Sequence, residues 1–466
     1  MFGPVRSPGE AWVPSAVGLA WLLKAGGVGF PFGVLPLVPG AFLFAAGVGM
    51  LLYPGDRRLT HFGALGGALG MLLAIPGLVV GGPIWLLLGV AAAGAALACG
   101  HHALRLDAMP DETPELEPSL AMAAEVAFDE AVLGTMVFTT PFPSKGEHAR
   151  IRAGVDEARE QFAAAGWLEK PEGYHETPPP PGDGELRRGR ARGVDYEHLS
   201  FASEYEPRER EPGRERWLSY APNREFHAWV VRGDPAKPWL VCIHGYRMGV
   251  PWIDLGAFRP GWLHERHGLN LIVPVLPLHG PRKVGGRSGD GFLGGDLIDT
   301  LHAEAQAAWD LRRTLAWVRA RSDAPIGVYG LSLGGYNTAL LASLDSGLAC
   351  AVAGIPASDF TQSFFHHGGP WQERAAAQAG LARSAMWELL SVVSPLVLKP
   401  KVPHEHRAIF GGIADRIVPP EQVRDLWRHW ERPPIEWYPG AHLTFGRHPR
   451  VRRLTERTLR DAGLCA

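Results

Sequence analysis

The sequence predicts an α/β protein in which a mostly parallel, doubly wound sheet follows an N-terminal helical transmembrane domain. Three observations predict it. Charged residues vanish from two long stretches of the first hundred residues, apolar runs of strand length alternate with helical patterns after residue 195, and one of those runs ends on a serine framed by glycines.

At 466 residues the chain is longer than one average domain, and its net charge of -2 carries no basic field that would recruit nucleic acid. Its four cysteines, Cys99, Cys242, Cys350 and Cys465, lie far apart without a CxxC pair, which fits a reducing compartment. Cys242 and Cys350 fall in apolar runs, where a thiol acts as a small hydrophobe.

No Asp, Glu, Lys or Arg occurs from Ala25 to Gly55 or from Leu59 to Leu104. A spanning helix needs about 20 apolar residues. Residues 33–53, 62–80 and 84–100 each supply such a stretch, and the Gly81-Gly82-Pro83 triplet marks a helical hairpin between the last two. Residues 11–30 are a fourth candidate, weakened by Lys24, that spans or lies in the interface. A signal peptide fits poorly, because no basic cluster leads the chain and apolar residues continue far beyond one such segment. Gly63, Gly66, Gly67 and Gly70 recur at spacings that let helices approach closely. Arg57, Arg58 and Arg105 flank the spans on one side, so the positive-inside rule predicts an integral protein of the cytoplasmic membrane with everything after residue 100 on the cytoplasmic face.

The domain reading is therefore a transmembrane domain over 1–106, a helical connector with a Pro-rich loop over 107–194, and a catalytic domain over 195–466. Helical patterns run through 119–134 and 146–167, expected to pack on the membrane-proximal side of the catalytic domain, and residues 176–193 have the composition of a solvated loop with a basic patch. Strands are predicted at 226–232, 239–244, 270–276, 325–330, 349–354, 406–411 and 435–438, with helices at 301–320, 334–345, 420–431 and 449–462. Several of these strands are apolar on both faces, as central strands covered by helices must be.

The fourth strand runs into Gly330-Leu331-Ser332-Leu333-Gly334, followed by Gly335. In a chain with 58 glycines the bare GxSxG is weak, and its place between a strand and a helix is what carries weight. A serine on such an elbow sits in a strained conformation, and Gly330, Gly334 and Gly335 let strand and helix close around it. A serine hydroxyl is a poor nucleophile near neutral pH, so a base must take its proton and an acid must orient that base. His442, in Tyr438-Pro439-Gly440-Ala441-His442, is the candidate base; Asp415, in Ala414-Asp415-Arg416-Ile417-Val418-Pro419-Pro420, is the candidate acid. Each follows a strand, so all three reach one edge of the sheet. Asp359 is the alternative acid. An oxyanion needs two backbone N–H donors: Leu333, after the nucleophile, supplies one, and Tyr246, in Ile243-His244-Gly245-Tyr246, supplies the other. His244 is read as structural.

These motifs, IHGY, GLSLGG, ADRIVPP and YPGAHL, resemble the α/β-hydrolase superfamily over residues 195–466. Residues 276–289 look like the corresponding loop of esterases, acetyl xylan esterase-like enzymes and prolyl-oligopeptidase-like hydrolases. The resemblance implies an esterase or lipase-like serine hydrolase acting through an acyl-serine, without cofactor or metal. The pairs His101-His102, His366-His367 and His404/His406 lack a third ligand or HExxH spacing. Residues 355–405 exceed a simple crossover and are read as a cap whose Phe364, Phe365, Trp371, Trp387, Leu389, Leu390, Val392, Val393 and Leu396 line an apolar pocket or pack. The expected substrate is a small-molecule or lipid ester. Acyl transfer or peptide cleavage by the same triad, or a non-catalytic membrane scaffold, are the competing readings.

Overall fold

Among the described residues, four antiparallel helices make up the N-terminal quarter: α1 (Trp12–Gly26), α2 (Val34–Leu52), α3 (Arg57–Gly81) and α4 (Ile84–Ala103). The structure, a computed structural model, describes residues 9–28, 33–106, 108–140 and 143–465. Residues 1–8, the end of the candidate span 11–30, residue 107 and the side chain of Trp371 lie outside the described residues. Helices α2, α3 and α4 are each long and apolar enough to cross a membrane. Helix α1, 15 residues and so about 22 Å long, is shorter than a hydrocarbon core, yet packs on both α2 and α4.

The glycines explain how closely these helices sit. A Cβ on Gly63 would meet Cys99 Sγ at 2.5 Å, one on Gly67 the Ala92 carbonyl oxygen at 2.7 Å, and one on Gly70 the Ala92 Cβ at 2.7 Å. Glu10, just ahead of α1, pairs with His101 and Arg105 at the end of α4, at 3.1 and 3.0 Å. Both ends of the bundle therefore emerge on one face. The hairpin between α3 and α4 turns at Gly82, whose φ of 80° suits glycine.

Helix α5 (Leu120–Thr139) lies across that face. It touches α4 where a Cβ on Gly100 would strike the Ala123 carbonyl at 2.2 Å, and α3 where one on Gly134 would strike the His61 carbonyl at 2.6 Å. Helix α6 (Lys145–Ala164), started by a Ser144–Glu147 capping box, leads to the sheet.

Nine strands form that sheet: β1 (Glu185–Ala191), β2 (Val194–Ala202), β3 (Glu225–Val231), β4 (Trp239–Ile243), β5 (Asn270–Pro274), β6 (Ile326–Leu331), β7 (Cys350–Gly354), β8 (Arg407–Gly412) and β9 (Ile435–Tyr438). Their order is β1-β2-β3-β5-β4-β6-β7-β8-β9, antiparallel from β1 to β5 and parallel from β5 to β9. The intervening helices are α7 (Arg214–Ser219), α8 (Pro251–Phe258), α9 (Leu297–Arg319), α10 (Leu333–Leu344), α11 (Phe360–Gln378), α12 (Arg383–Ser391), α13 (Pro420–His429) and α14 (Pro449–Asp461). Alternate residues feed two cores: β4 sends Trp239, Val241 and Ile243 into one with α9, α10 and α13, and Leu240 and Cys242 into the other with α8 and α14. This is the α/β-hydrolase fold behind an N-terminal helical domain.

One expectation changes, and a choice left open falls to one side for most of its residues. Residues 185–191, read as part of a solvated loop, form the edge strand β1, joined to β2 by a two-residue turn at Arg192 and Gly193 with φ of 53° and 81°. Both faces of β1 are largely exposed, so it has no period-two apolar signal, and its arginines guard a free edge. The insert 355–405 holds α11 and α12, and its apolar residues mostly pack: Phe365, Leu389, Leu390, Val392 and Val393 are buried in the main core. Phe364, Trp387 and Leu396 are half-buried.

Gly67→Val is expected to destabilise the bundle by about 1–3 kcal/mol through overpacking. Thermal unfolding of the detergent-solubilised protein checks this; an unchanged melting temperature contradicts the close packing.

Candidate active site

In a parallel sheet every strand points its carboxyl end to the same rim, and ligands bind where successive connections leave in opposite directions. Here that switch lies between β4, whose chain continues to β5 on one side, and β6 on the other. Tyr246 follows β4 and Ser332 follows β6.

Ser332 has φ 59° and ψ -116°, a strained conformation for a non-glycine residue. Its N–H donates to the Gly354 carbonyl at 2.9 Å, and the tight turn demands its glycines. A Cβ on Gly330 would lie 2.0 Å from the Gly334 oxygen, one on Gly334 1.8 Å from the Ile243 oxygen, and one on Gly335 2.9 Å from the Gly354 oxygen. Helix α10 begins at Leu333 and aims its positive end at the serine. Neither the Leu333 nor the Tyr246 amide has a hydrogen-bond acceptor among the described residues. The Tyr246 loop is braced by Arg247, which pairs with Asp290 and donates to the Ser288 carbonyl at 3.1 Å. This brace escaped sequence reasoning because its partners are 43 residues apart.

Asp415 follows β8 and His442 follows β9, and the structure brings them together: His442 Nδ1 lies 2.6 Å from Asp415 Oδ2. The other carboxylate oxygen of Asp415 accepts the N–H groups of Ile417 at 2.9 Å and Val418 at 2.8 Å, which fixes its orientation. Both residues are buried. Among the described residues no hydrogen bond joins the Ser332 hydroxyl to the His442 imidazole; such contacts are often long without substrate. Asp359 caps α11, accepting the Gln362 N–H at 3.0 Å, and does not pair with His442. His244 Nε2 accepts the Leu276 N–H at 3.1 Å, a structural role. The histidine pairs disperse: His101 to Glu10, His366 to Arg57, His367 to the Ile417 carbonyl and His404 to the Glu431 carbonyl.

Burial works to lower the His442 pKa, but the charge of Asp415, the hydrogen bond to it and the charge of Asp129 outweigh burial and hold the pKa above the ordinary imidazole value of 6.5. Asp129, from α5, is a second missed residue: its carboxylate accepts the His442 N–H at 2.7 Å.

No protein-family model matches the chain. Over 366 residues it is 40% identical to "Uncharacterized protein MT2702" of Mycobacterium tuberculosis strain CDC 1551, spanning 77% of this chain and 87% of the relative. "Uncharacterized protein Rv2627c" of strain H37Rv matches with the same identity and coverage. The chain belongs to the family of these two mycobacterial proteins. Among solved structures, acetyl xylan esterase 1 from Thermoanaerobacterium sp. JW/SL YS485 aligns with a TM-score of 0.44 at 15% identity, covering 69% of this chain and 95% of its own. The acetyl xylan esterase from Paenibacillus sp. R4 aligns with 0.43 at 16% identity, covering 69% and 98%.

Catalysis that uses neutral His442 as a base is expected to rise with pH through a midpoint above 6.5, because the raised pKa keeps the ring protonated below it. A kcat/KM profile against pH checks this, and a midpoint at or below 6.5 contradicts the pairing.

Proposed function

We propose that this protein is a membrane-anchored serine hydrolase that cleaves an apolar carboxylic ester. The observation that carries the proposal is the 2.6 Å contact between His442 and Asp415 on the rim where the strained Ser332 elbow stands. In the reaction, Ser332 Oγ bonds to the ester carbonyl carbon and its proton passes to His442 Nε2, while Asp415 holds the Nδ1–H and stabilises the imidazolium. The carbonyl oxygen becomes an oxyanion within reach of the Leu333 and Tyr246 amides. Collapse breaks the carbon–oxygen bond to the alcohol, which leaves with the proton from His442. Water, deprotonated by the same imidazole, then releases the acid and restores Ser332. The reaction calls on no cofactor.

Two features support an apolar substrate. Three helices long and apolar enough to cross a membrane precede the hydrolase fold, and Leu443, beside His442, is 43% exposed. The excess of arginine at the face from which α5 leaves argues for a cytoplasmic active site in the cytoplasmic membrane.

A fluorophosphonate probe is expected to label the native protein, and Ser332→Ala to abolish both labelling and p-nitrophenyl ester hydrolysis. Labelling that survives the substitution removes the proposal, and a preference for acetate over longer acyl chains removes its apolar part. In spheroplasts, external protease is expected to spare the hydrolase domain; its digestion there reverses the orientation.

A further inference from the structure

Helix α5 carries two consecutive acids, Asp129 and Glu130, both fully buried. A buried carboxylate is costly unless donors satisfy it, so its partners reveal what it is for. The Asp129 carboxylate accepts three backbone N–H groups: His442 at 2.7 Å and Arg416 at 3.3 Å on one oxygen, and Leu443 at 3.3 Å on the other. The donors are His442 itself, its neighbour Leu443, and Arg416, the residue after Asp415. One helical turn earlier, Glu125 accepts the Thr444 hydroxyl at 2.7 Å and the Ala441 N–H at 3.3 Å. Helix α5 thus grips the whole stretch from Ala441 to Thr444.

Glu130 points elsewhere on the same turn. It receives the Thr60 hydroxyl and His61 Nδ1, both at 2.6 Å, from the start of α3, and Arg416 Nε at 3.0 Å from the acid loop. Apolar contacts follow the same route: Ala103 and Leu104 at the end of α4, Met122, Ala123 and Val126 of α5, and Ile413, Ala414 and Ala441 of the two catalytic loops form one cluster.

We propose that Asp129 is a positioning residue for His442, a carboxylate supplied by the helix that rests on the membrane bundle, which holds the base and acid loops in register and faces the imidazolium as it forms. The inference rests on the serine hydrolase reading above. Acceptors held by a rigid helix fix the loop that carries the imidazole, and displacement of a catalytic group by about 1 Å can cost 100-fold in rate. The charged and titratable groups around Asp129 are Asp415 and Arg416 on the acid loop, His442 on the base loop, Tyr438 on β9, and Glu125 and Glu130 on its own helix. Burial and the charge of Asp415 push the Asp129 carboxyl up, while the nearby imidazole and the backbone N–H groups of His442 and Arg416 pull it down.

The full-length protein in detergent or nanodiscs provides the test. Asp129→Asn keeps the shape but removes the charge and one acceptor oxygen. It is expected to lower kcat by about 10- to 100-fold with KM within about twofold. It is also expected to slow fluorophosphonate labelling in parallel and to move the midpoint of the pH profile downward by about half a unit or more, because one of the charges that raises the His442 pKa is gone. Wild-type kcat, or a loss of kcat with an unmoved midpoint, overturns the proposal, the latter pointing to a merely structural side chain. Should Asp129→Asn fail to fold, Asp129→Glu decides: retained charge with a displaced oxygen predicts lower kcat at the wild-type midpoint, and full kcat overturns. If the native protein neither labels nor hydrolyses any ester, the hydrolase reading itself fails and takes this inference with it, a result distinguishable from an active enzyme indifferent to residue 129.

Discussion

Parallel strands share one direction, and most of what this molecule can do follows from that constraint. Six neighbouring strands, β5, β4 and β6 to β9, end on the same rim, so residues that follow β4, β6, β8 and β9 share it although nearly 200 positions separate Tyr246 from His442. That one edge carries the Tyr246 amide, the strained Ser332 and the imidazole–carboxylate pair of His442 and Asp415, which come from four separate loops. The glycine-enforced approach of α10 to β4 and β6 sets how far Ser332 projects from that rim.

A second constraint operates where the helical bundle meets the sheet. Polar groups there are cut off from water and must satisfy one another. Asp129 and Glu130 do this in opposite directions, one toward the loops of His442 and Asp415, the other toward Thr60 and His61 of α3. The bundle is therefore joined to the loops of His442 and Asp415 by charge-assisted hydrogen bonds as well as by apolar contact, a stronger coupling than a flexible tether provides. His367 adds to it by bonding the Ile417 carbonyl beside Asp415.

The insert between β7 and β8 illustrates how tertiary context redirects apolar residues. Phe365, Leu389, Leu390, Val392 and Val393 were candidates for a substrate pocket, yet they complete the core against α6, α9 and α10. Tyr336 of α10 stacks on Phe360 at 4.3 Å and donates its hydroxyl to the Val393 carbonyl, which ties the insert to the helix that follows Ser332.

The sequence by itself determined the elements that follow from local pattern: the apolar helices, the buried strands, the elbow around Ser332, and the loops of Asp415 and His442, since each depends on hydrophobic periodicity or on glycine and turn residues a few positions apart. The strand-then-loop placement of His442 is likewise visible locally. Only the tertiary structure shows which carboxylate pairs with His442, since Asp415 and Asp359 both follow strands and the folded chain brings Asp415 to it. The edge strand β1 was hidden because a strand exposed on both faces has no alternation to read. Asp129 was hidden for a deeper reason: on α5 it looks like one acid of an ordinary solvated helix face, and its meaning comes entirely from loops more than 280 residues away whose backbone donors converge on it. Local chemistry writes the elements, whereas the partners of a buried charge exist only once the chain has closed around it.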